Sequence, residues 1–293
     1  MPLSFGHMVE RREQAIATIH RALDLGITLL DTANIYAPAW NAVGHNEALV
    51  AEAIETYSGP ASLTDLLVTT KGGITRGPGE SWGRDSSPAS LMAACEDSLA
   101  QLGVEVIDLY QHHRHDPSQT YESQLQALAS LKERNLVRQV GVSNVNAAEL
   151  TLALDLLGGP MDGGIVSVQN EFSPRYRGDA DVLDMCTERG IAFLPWSPLG
   201  GSDQAKDVGS RYAAFTEVGS EIGASAQEAV LAWLLAKSPV IIPIPGATRP
   251  ETVESIVRAA SIALTPEQFT RLDSTVPEAS SMYPDDEPRS ALR

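Results

Sequence analysis

Short apolar runs alternate with amphipathic segments along most of the chain, and this alternation constrains the possible folds more than any other feature. The segment 10–25 shows the helical type, because Ala15, Ile16, Ile19 and Leu23 recur at helical spacing. The apolar runs between such segments are short enough to be strands buried on both faces. Seven runs are predicted to be strands: residues 28–30, 66–70, 106–111, 137–142, 165–169, 191–195 and 240–244.

Strands that are each followed by a helix form a parallel sheet. No Gly-x-Gly-x-x-Gly follows the first run, which disfavours a doubly wound dinucleotide fold. We therefore expect an α/β fold, a (β/α)8 TIM barrel, as a single domain over residues 1–293. Residues 72–87 and 200–210 are expected to be long loops, and the tail from about residue 277 is expected to be mobile.

An eighth strand has room only at the N-terminus, where residues 1–5 are too short to complete one. The first barrel strand is therefore predicted to be incomplete. An incomplete strand leaves unpaired backbone groups and an open core. We expect either reduced stability or a compensating contact.

Charge and composition exclude several classes of protein. The formal net charge of −17 argues against a nucleic-acid-binding protein and disfavours an anionic membrane surface. An anionic cofactor stays possible, since a few local donors can hold a phosphate. Cys95 and Cys186 have no metal-site spacing, and no signal peptide or membrane-spanning run is apparent. We expect a cytoplasmic protein.

Four polar residues stand at or just after the ends of predicted strands: Asp31, Tyr36, Lys71 and His113. Each alone has an ordinary explanation, as a cap, a packing residue, a surface lysine or part of a solvated histidine cluster. Together they make a proton-donating site. A tyrosine pKa near 10 falls when a cation stands nearby, and a carboxylate keeps that cation charged. A histidine can orient the carbonyl that receives the proton, and the scheme needs no metal.

The strings around these residues resemble the aldo-keto reductase family over about residues 9–275. The register of the histidine strand selects His113, rather than His112, as the catalytic equivalent. The matching strings are Gly-Ile-Thr-Leu-Leu-Asp-Thr-Ala at 26–33 with Tyr36, Gly-His-Asn-Glu at 44–47, Thr-Thr-Lys at 69–71, Asp-Leu-Tyr-Gln-His-His-Arg-His-Asp-Pro at 108–117, Gly-Val-Ser-Asn at 141–144, Val-Gln-Asn at 168–170, Pro-Trp-Ser-Pro-Leu-Gly at 195–200 and Ile-Pro-Gly-Ala-Thr-Arg at 244–249.

The resemblance implies an NADP(H)-dependent enzyme that reduces an aldehyde or ketone, with a hydride from nicotinamide and a proton from Tyr36. The side chains of Ser143, Asn144 and Gln169 suit a carboxamide, because they offer donors and acceptors. Trp196 offers a flat face to the nicotinamide ring. Phosphate contacts are expected from Ser197, Leu199, Gly200, Gly246, Thr248 and Arg249. Arg249 could grip a 2′-phosphate, which favours NADP while NAD stays possible.

Other interpretations stay open. Ser255 and Ile256 occupy positions where the family often has an acidic residue and an asparagine near adenine. Lys71 could serve a Schiff-base aldolase on the same fold. The chain could instead be a cofactor-binding regulatory subunit of reductase-like fold, or a truncated inactive homologue. The expected partner is a small-molecule carbonyl compound, and Trp40, Trp82 and Tyr212 are guessed to line its pocket.

Overall fold

The computed structural model describes residues 2–202, 204–278 and 280–283, which we call the described residues. They form two compact units. The first unit comprises residues 2–167 and 247–253, and the second comprises residues 168–246 and the described residues from 254 onward. Residues 279 and 284–293 of the predicted mobile tail lie outside the described residues. The expectation of a single domain stays a prediction.

Strands and helices alternate between residues 29 and 193, as the sequence predicts, apart from one run of three consecutive strands, and five α-helices follow in the described residues beyond 193. The strands are β1 Leu29–Asp31, β2 Leu67–Gly72, β3 Ile74–Gly77, β4 Ser81–Arg84, β5 Ile107–His112, β6 Val137–Ser143, β7 Ile165–Gln169 and β8 Ala192–Phe193. The α-helices are α1 Arg12–Asp24, α2 His45–Glu55, α3 Pro88–Leu102, α4 Tyr121–Glu133, α5 Ala147–Leu157, α6 Ala180–Arg189, α7 Val208–Arg211, α8 Ala213–Glu221, α9 Ala226–Lys237, α10 Pro250–Ala259 and α11 Pro266–Asp273. None of these helices is both long and apolar enough to cross a membrane.

In the first unit, β1, β2, β5 and β6 form a parallel ladder in that order. Asp31 pairs with Thr69, and Lys71 pairs with Gln111. Parallel pairing brings the carboxyl ends of these strands to the same edge of the sheet. The residues that follow β1, β2 and β5 therefore lie close together.

Six of the seven predicted strands occur within a few residues of their predicted bounds. The prediction for residues 240–244 is wrong, because only Ile241 forms an isolated bridge, with Phe193. Pro239, Pro243 and Pro245 surround this bridge. Proline has no N–H to donate to a ladder, so the apolar run cannot continue as a strand.

The prediction of a long loop at residues 72–87 is also wrong, since this segment contains an antiparallel hairpin. Strand β3 pairs with β4, and residues Pro78–Glu80 form the turn. We call residues 74–84 the hairpin. Its Gly, Ser and Pro content hid the short strands, because these residues are typical of turns. In the second predicted loop, at 200–210, helix α7 begins at Val208.

The N-terminal residues form two 3-10 turns, Pro2–Ser4 and Gly6–Met8, rather than a strand. Met8 is buried with α1 and α2 in one apolar cluster. The Ser4 hydroxyl accepts a hydrogen bond of 2.7 Å from Asn46 Nδ2. The first barrel strand is incomplete, and these contacts hold the N-terminal segment against α1 and α2.

We predict that Met8→Ala lowers the free energy of unfolding by about 2–5 kcal/mol, because the truncation leaves a cavity in a packed cluster. Urea denaturation followed by circular dichroism measures the change. Met161→Ala is the matched control, since Met161 is 96% exposed whereas Met8 is 1% exposed. Equal effects of the two substitutions would show that the N-terminal segment does not stabilise the first unit.

Candidate active site

Lys71 is the fully buried cation of the first unit's site. Its Nζ donates to Asp31 Oδ1 at 2.8 Å, to Asp31 Oδ2 at 2.7 Å and to the Thr32 carbonyl at 2.7 Å. An ammonium group has three N–H donors, and all three have acceptors here. Burial lowers the pKa of Lys71 below its ordinary value, and the nearby Asp31 carboxylate acts in the opposite direction. The ion pair stabilises the charged form of a fully buried ammonium group.

Backbone hydrogen bonds to β2 hold the segment that leads from β1 to Tyr36. Thr32 N–H donates to the Thr69 carbonyl at 2.8 Å, and Asn34 N–H donates to the Lys71 carbonyl at 3.3 Å. The Tyr36 carbonyl accepts from Asn46 N–H at 3.0 Å, which ties it to the start of α2. As a result, Lys71 Nζ lies 5.4 Å from the centroid of the Tyr36 ring. A cation at this position favours the phenolate form of the tyrosine.

His113 directly follows β5, and its N–H donates to the Gly72 carbonyl at 2.9 Å. Its ring lies edge-on to Tyr36, with centroids 6.1 Å apart and an interplanar angle of 82°. Burial, and then the charge of Lys71, hold the pKa of His113 well below its usual range. A neutral imidazole carries one N–H donor and one acceptor nitrogen. His113 can therefore donate to a carbonyl oxygen without adding a positive charge.

The adjacent His112 points elsewhere, as expected for successive residues of a strand. Its Nε2 lies 2.9 Å from Ser86 Oγ, just beyond the hairpin. Burial is the largest cause that lowers the pKa of His112 to about 4. His115 instead pairs with Glu149, through Nδ1 and Oε1 at 2.8 Å. Within the part of the chain that the structure describes, no group of three or more His, Cys, Asp or Glu residues could hold a metal ion.

Four of the residues predicted to bind the cofactor lie in the first unit. Ser143 ends β6, and Asn144 follows with a left-handed backbone at φ 57°. Asn144 Nδ2 donates to the His113 carbonyl and to Ser143 Oγ, both at 3.0 Å. Ser143 and Asn144 are therefore brought together with His113. The Thr248 carbonyl accepts from Gln14 Nε2 at 2.7 Å, and Arg249 is exposed just before α10.

The other predicted cofactor residues belong to the second unit. Trp196 N–H donates to the Asn170 carbonyl at 2.9 Å, and the ring of Trp196 lies 5.6 Å from that of Tyr283. Gly200 N–H donates to the Ser197 carbonyl at 2.8 Å, which closes a tight turn with Ser197 at φ 50°. Gln169 is buried at the end of β7, and the set is completed by Leu199 and Gly246.

Two features near the site were missed by the sequence analysis. The Glu47 carboxylate is fully buried next to β2, the strand that contains Lys71. Thr70 Oγ1 donates to it at 2.5 Å. Burial raises the pKa of Glu47. The second feature is Arg76, which reaches the segment after Tyr36 from the hairpin. Glu47 belongs to the Gly-His-Asn-Glu string that the sequence analysis noted, but the string does not reveal its hydrogen bond with Thr70.

Known proteins are similar to this chain over most of its length. The model of the "Aldo/keto reductase family" matches residues 3–277. An uncharacterized oxidoreductase, C215.11c, of Schizosaccharomyces pombe is 36% identical over 263 residues, covering 89% of this chain and 79% of the relative. Pyridoxine 4-dehydrogenase of Escherichia coli is 31% identical over 268 residues, covering 89% of this chain and 86% of the relative.

Solved structures show the fold. The thermostable aldo-keto reductase Tm1743, in complex with epalrestat, is 27% identical with a TM-score of 0.74, covering 91% of this chain and 88% of its own. An aldo-keto reductase from Klebsiella pneumoniae, in complex with NADPH, is 22% identical with a TM-score of 0.74, covering 97% of this chain and 89% of its own. The predicted fold class, an α/β barrel with an incomplete first strand, is confirmed.

The lowered pKa values of His112 and His113 predict a loss of stability in mild acid. In the unfolded chain both imidazoles titrate near 6.5. As the pH falls below that value the unfolded chain takes up protons that the folded chain does not, so the free energy of unfolding falls. For His112 the loss continues down to about pH 4.

We predict that His112→Gln flattens this pH dependence by about 1.4 kcal/mol per pH unit, the contribution of one proton, between pH 6 and 5. Denaturation midpoints across that range measure it. His7→Gln is the control, because His7 is exposed. If His112→Gln left the slope unchanged, His112 would not be buried in its neutral form.

Proposed function

The chain belongs to the aldo/keto reductase family, and from that premise we propose that it is an NADPH-dependent enzyme that reduces an aldehyde or ketone to an alcohol. The observation that supports this most directly is the setting of Tyr36. A buried ammonium lies 5.4 Å from the ring centroid, and a neutral imidazole lies edge-on to the ring. The nearby cation favours the phenolate form, and we propose that this tyrosine exchanges a proton with the substrate.

In the proposed reaction Tyr36 donates its hydroxyl proton to the carbonyl oxygen of the substrate. Lys71 stabilises the phenolate that forms, and Asp31 keeps Lys71 charged. His113 donates a hydrogen bond to the same oxygen and thereby orients the carbonyl. In the oxidation direction Tyr36 acts as the base. The nicotinamide, when bound, supplies the hydride that the carbonyl carbon accepts.

The residues proposed for the cofactor have the chemistry that it needs. In the first unit, Ser143 and Asn144 present a buried hydroxyl and amide, which match a carboxamide. In the second unit, Gln169 offers a buried amide, and Trp196 offers a ring face. Arg249 is proposed to select the 2′-phosphate of NADPH, since guanidinium binds phosphate in bidentate geometry. Contacts with the cofactor phosphates are proposed for the remaining residues, which are Ser197, Leu199, Gly200, Gly246 and Thr248.

The alternative use of Lys71 as a Schiff-base nucleophile is not favoured. Its side chain is fully buried, and Asp31 and Thr32 accept all three of its N–H donors. A nucleophilic amine needs a free lone pair facing the substrate. A regulatory role alone would not require the arrangement around Tyr36.

An aromatic aldehyde is our first choice of substrate class. The relative named pyridoxine 4-dehydrogenase is 31% identical over 89% of this chain. Trp40 and Trp82 are 39% and 56% exposed, so both have ring surface left for a ligand. Pyridoxal and benzaldehyde are therefore the first compounds for a screen with NADPH.

We predict that Tyr36→Phe lowers kcat by about 10²- to 10⁴-fold, because the proton donor is lost. NADPH binding should be retained. Steady-state oxidation of NADPH with the best aldehyde gives kcat, and fluorescence titration gives the Kd. Tyr57→Phe is the matched control, since Tyr57 OH bonds to Asp24 away from Lys71. Full activity of Tyr36→Phe would contradict the proposed mechanism.

We also predict that NADPH quenches tryptophan fluorescence and binds more tightly than NADH. Trp196→Phe should remove most of the quenching, whereas Trp233→Phe should not, because Trp233 is fully buried. Arg249→Ala should raise the Kd for NADPH about 10-fold or more and leave that for NADH unchanged, since a charge-assisted pair contributes about 1.5–3 kcal/mol. Equal Kd values for both cofactors in the unaltered chain would count against the role of Arg249.

A further inference from the structure

The hairpin carries two arginines that reach the segments holding Tyr36 and His113. Arg76, on β3, donates from Nη1 to the Ala37 carbonyl at 2.6 Å, and Ala37 directly follows Tyr36. Arg84, on β4, donates from Nη1 to the His115 carbonyl at 3.1 Å, two residues after His113. Neither guanidinium is part of the proposed proton transfer. Both bind the backbone of the loops on which that transfer depends.

Arg76 is held in place from several sides. Its side chain is 5% exposed, and its Nη2 lies 2.5 Å from Glu80 Oε2. Its guanidinium carbon lies 4.9 Å from the centroid of the Trp82 ring and 5.9 Å from that of the Phe5 ring. Cations over aromatic faces are attracted to the ring, and burial strengthens the attraction. The guanidinium that binds the Ala37 carbonyl therefore has little freedom to move.

Glu80 links the tip of the hairpin to the same loop by a second route. Its Oε1 accepts from the Trp40 N–H at 3.0 Å, four residues after Tyr36. Its backbone is left-handed, with φ 61°. This conformation is unfavourable for a residue with a side chain, and it persists where surrounding contacts hold it. Glu80 thus joins Arg76 and the loop after Tyr36 into one set of contacts.

Ser86, two residues beyond the hairpin, is hydrogen-bonded to the segment that contains His113. Ser86 Oγ lies 2.9 Å from His112 Nε2, and Ser86 N–H donates to Asp116 Oδ2 at 3.2 Å. With the Arg84 contact, these bonds fix residues 84–86 to the segment 112–116. The hairpin therefore contacts both the backbone that follows Tyr36 and the backbone that follows His113.

We propose that the hairpin acts as a brace that sets the spacing of Tyr36 and His113, with Arg76 and Arg84 as positioning residues. The proposal rests on the proposed function, since spacing matters only if both side chains act on one carbonyl. A misplacement of about 1 Å can lower a rate by about 100-fold without loss of binding. The brace therefore affects turnover more than cofactor affinity.

The test compares Arg76→Met and Arg84→Met with Arg138→Met. Arg138 is the matched control, because its side chain is 66% exposed and pairs with Asp108 on the surface. We expect kcat to fall about 10- to 100-fold in the first two variants, with the Kd for NADPH and the thermal midpoint close to those of the control. Arg76→Lys keeps a donor for Ala37 but loses the fork that also holds Glu80, so its kcat should be intermediate.

Amide hydrogen exchange supplies a readout that needs no turnover. We expect faster exchange at residues 37–44 in Arg76→Met and at residues 113–116 in Arg84→Met, and no change in the control. Unchanged exchange and unchanged kcat would overturn the brace. A parallel loss of NADPH binding and thermal stability would also overturn it, since the arginines would then be merely structural. Lack of turnover in the unaltered chain, together with the expected exchange pattern, would count against the proposed function and support the brace.

Discussion

The buried pair of Lys71 and Asp31 is the interaction on which the rest of the site depends. Removing an ammonium group from water costs several kcal/mol, and only close acceptors offset that cost. Asp31 and Thr32 supply all of them. Asp31 reaches Lys71 only because β1 pairs with β2 in the observed register, with Asp31 opposite Thr69. The register of β1 on β2 therefore determines whether the charge of Lys71 can be buried. It also determines whether the cation lies beside Tyr36.

The same burial divides the roles of neighbouring groups by charge. Lys71 is held as a cation by its carboxylate, whereas burial and the charge of Lys71 keep His113 neutral. A second carboxyl group, that of Glu47, has a pKa raised by burial and bonds to Thr70 rather than to the lysine. Tyr36 thus has both a buried cation and an uncharged imidazole near its ring.

Much of this arrangement is readable from the sequence, because it follows from strand ends and from the residue types that stand there. Asp31, Tyr36, Lys71 and His113 were predicted to meet, and the first unit brings them together. The run 240–244 misled, because its hydrophobicity suggests a strand, although Pro243 within it and Pro239 and Pro245 beside it have no N–H to donate to a ladder. The contact between Arg76 and the Ala37 carbonyl could not be predicted, because it joins residues 39 positions apart through a hairpin that has a loop-like composition. Roles of individual side chains toward the cofactor stay predictions.

His112, which ends β5, and His113, which follows it, have side chains in two different environments. His112 faces Ser86 and the ring of Tyr121, whereas His113 faces Tyr36. Side chains of a strand alternate between faces, so two imidazoles one residue apart have different neighbours. The chain therefore contains a built-in pair of spectroscopic probes. In a nitrogen-15 spectrum the ring of His113 would report on the surroundings of Tyr36, while the ring of His112 would report on its contact with Ser86 beside the hairpin.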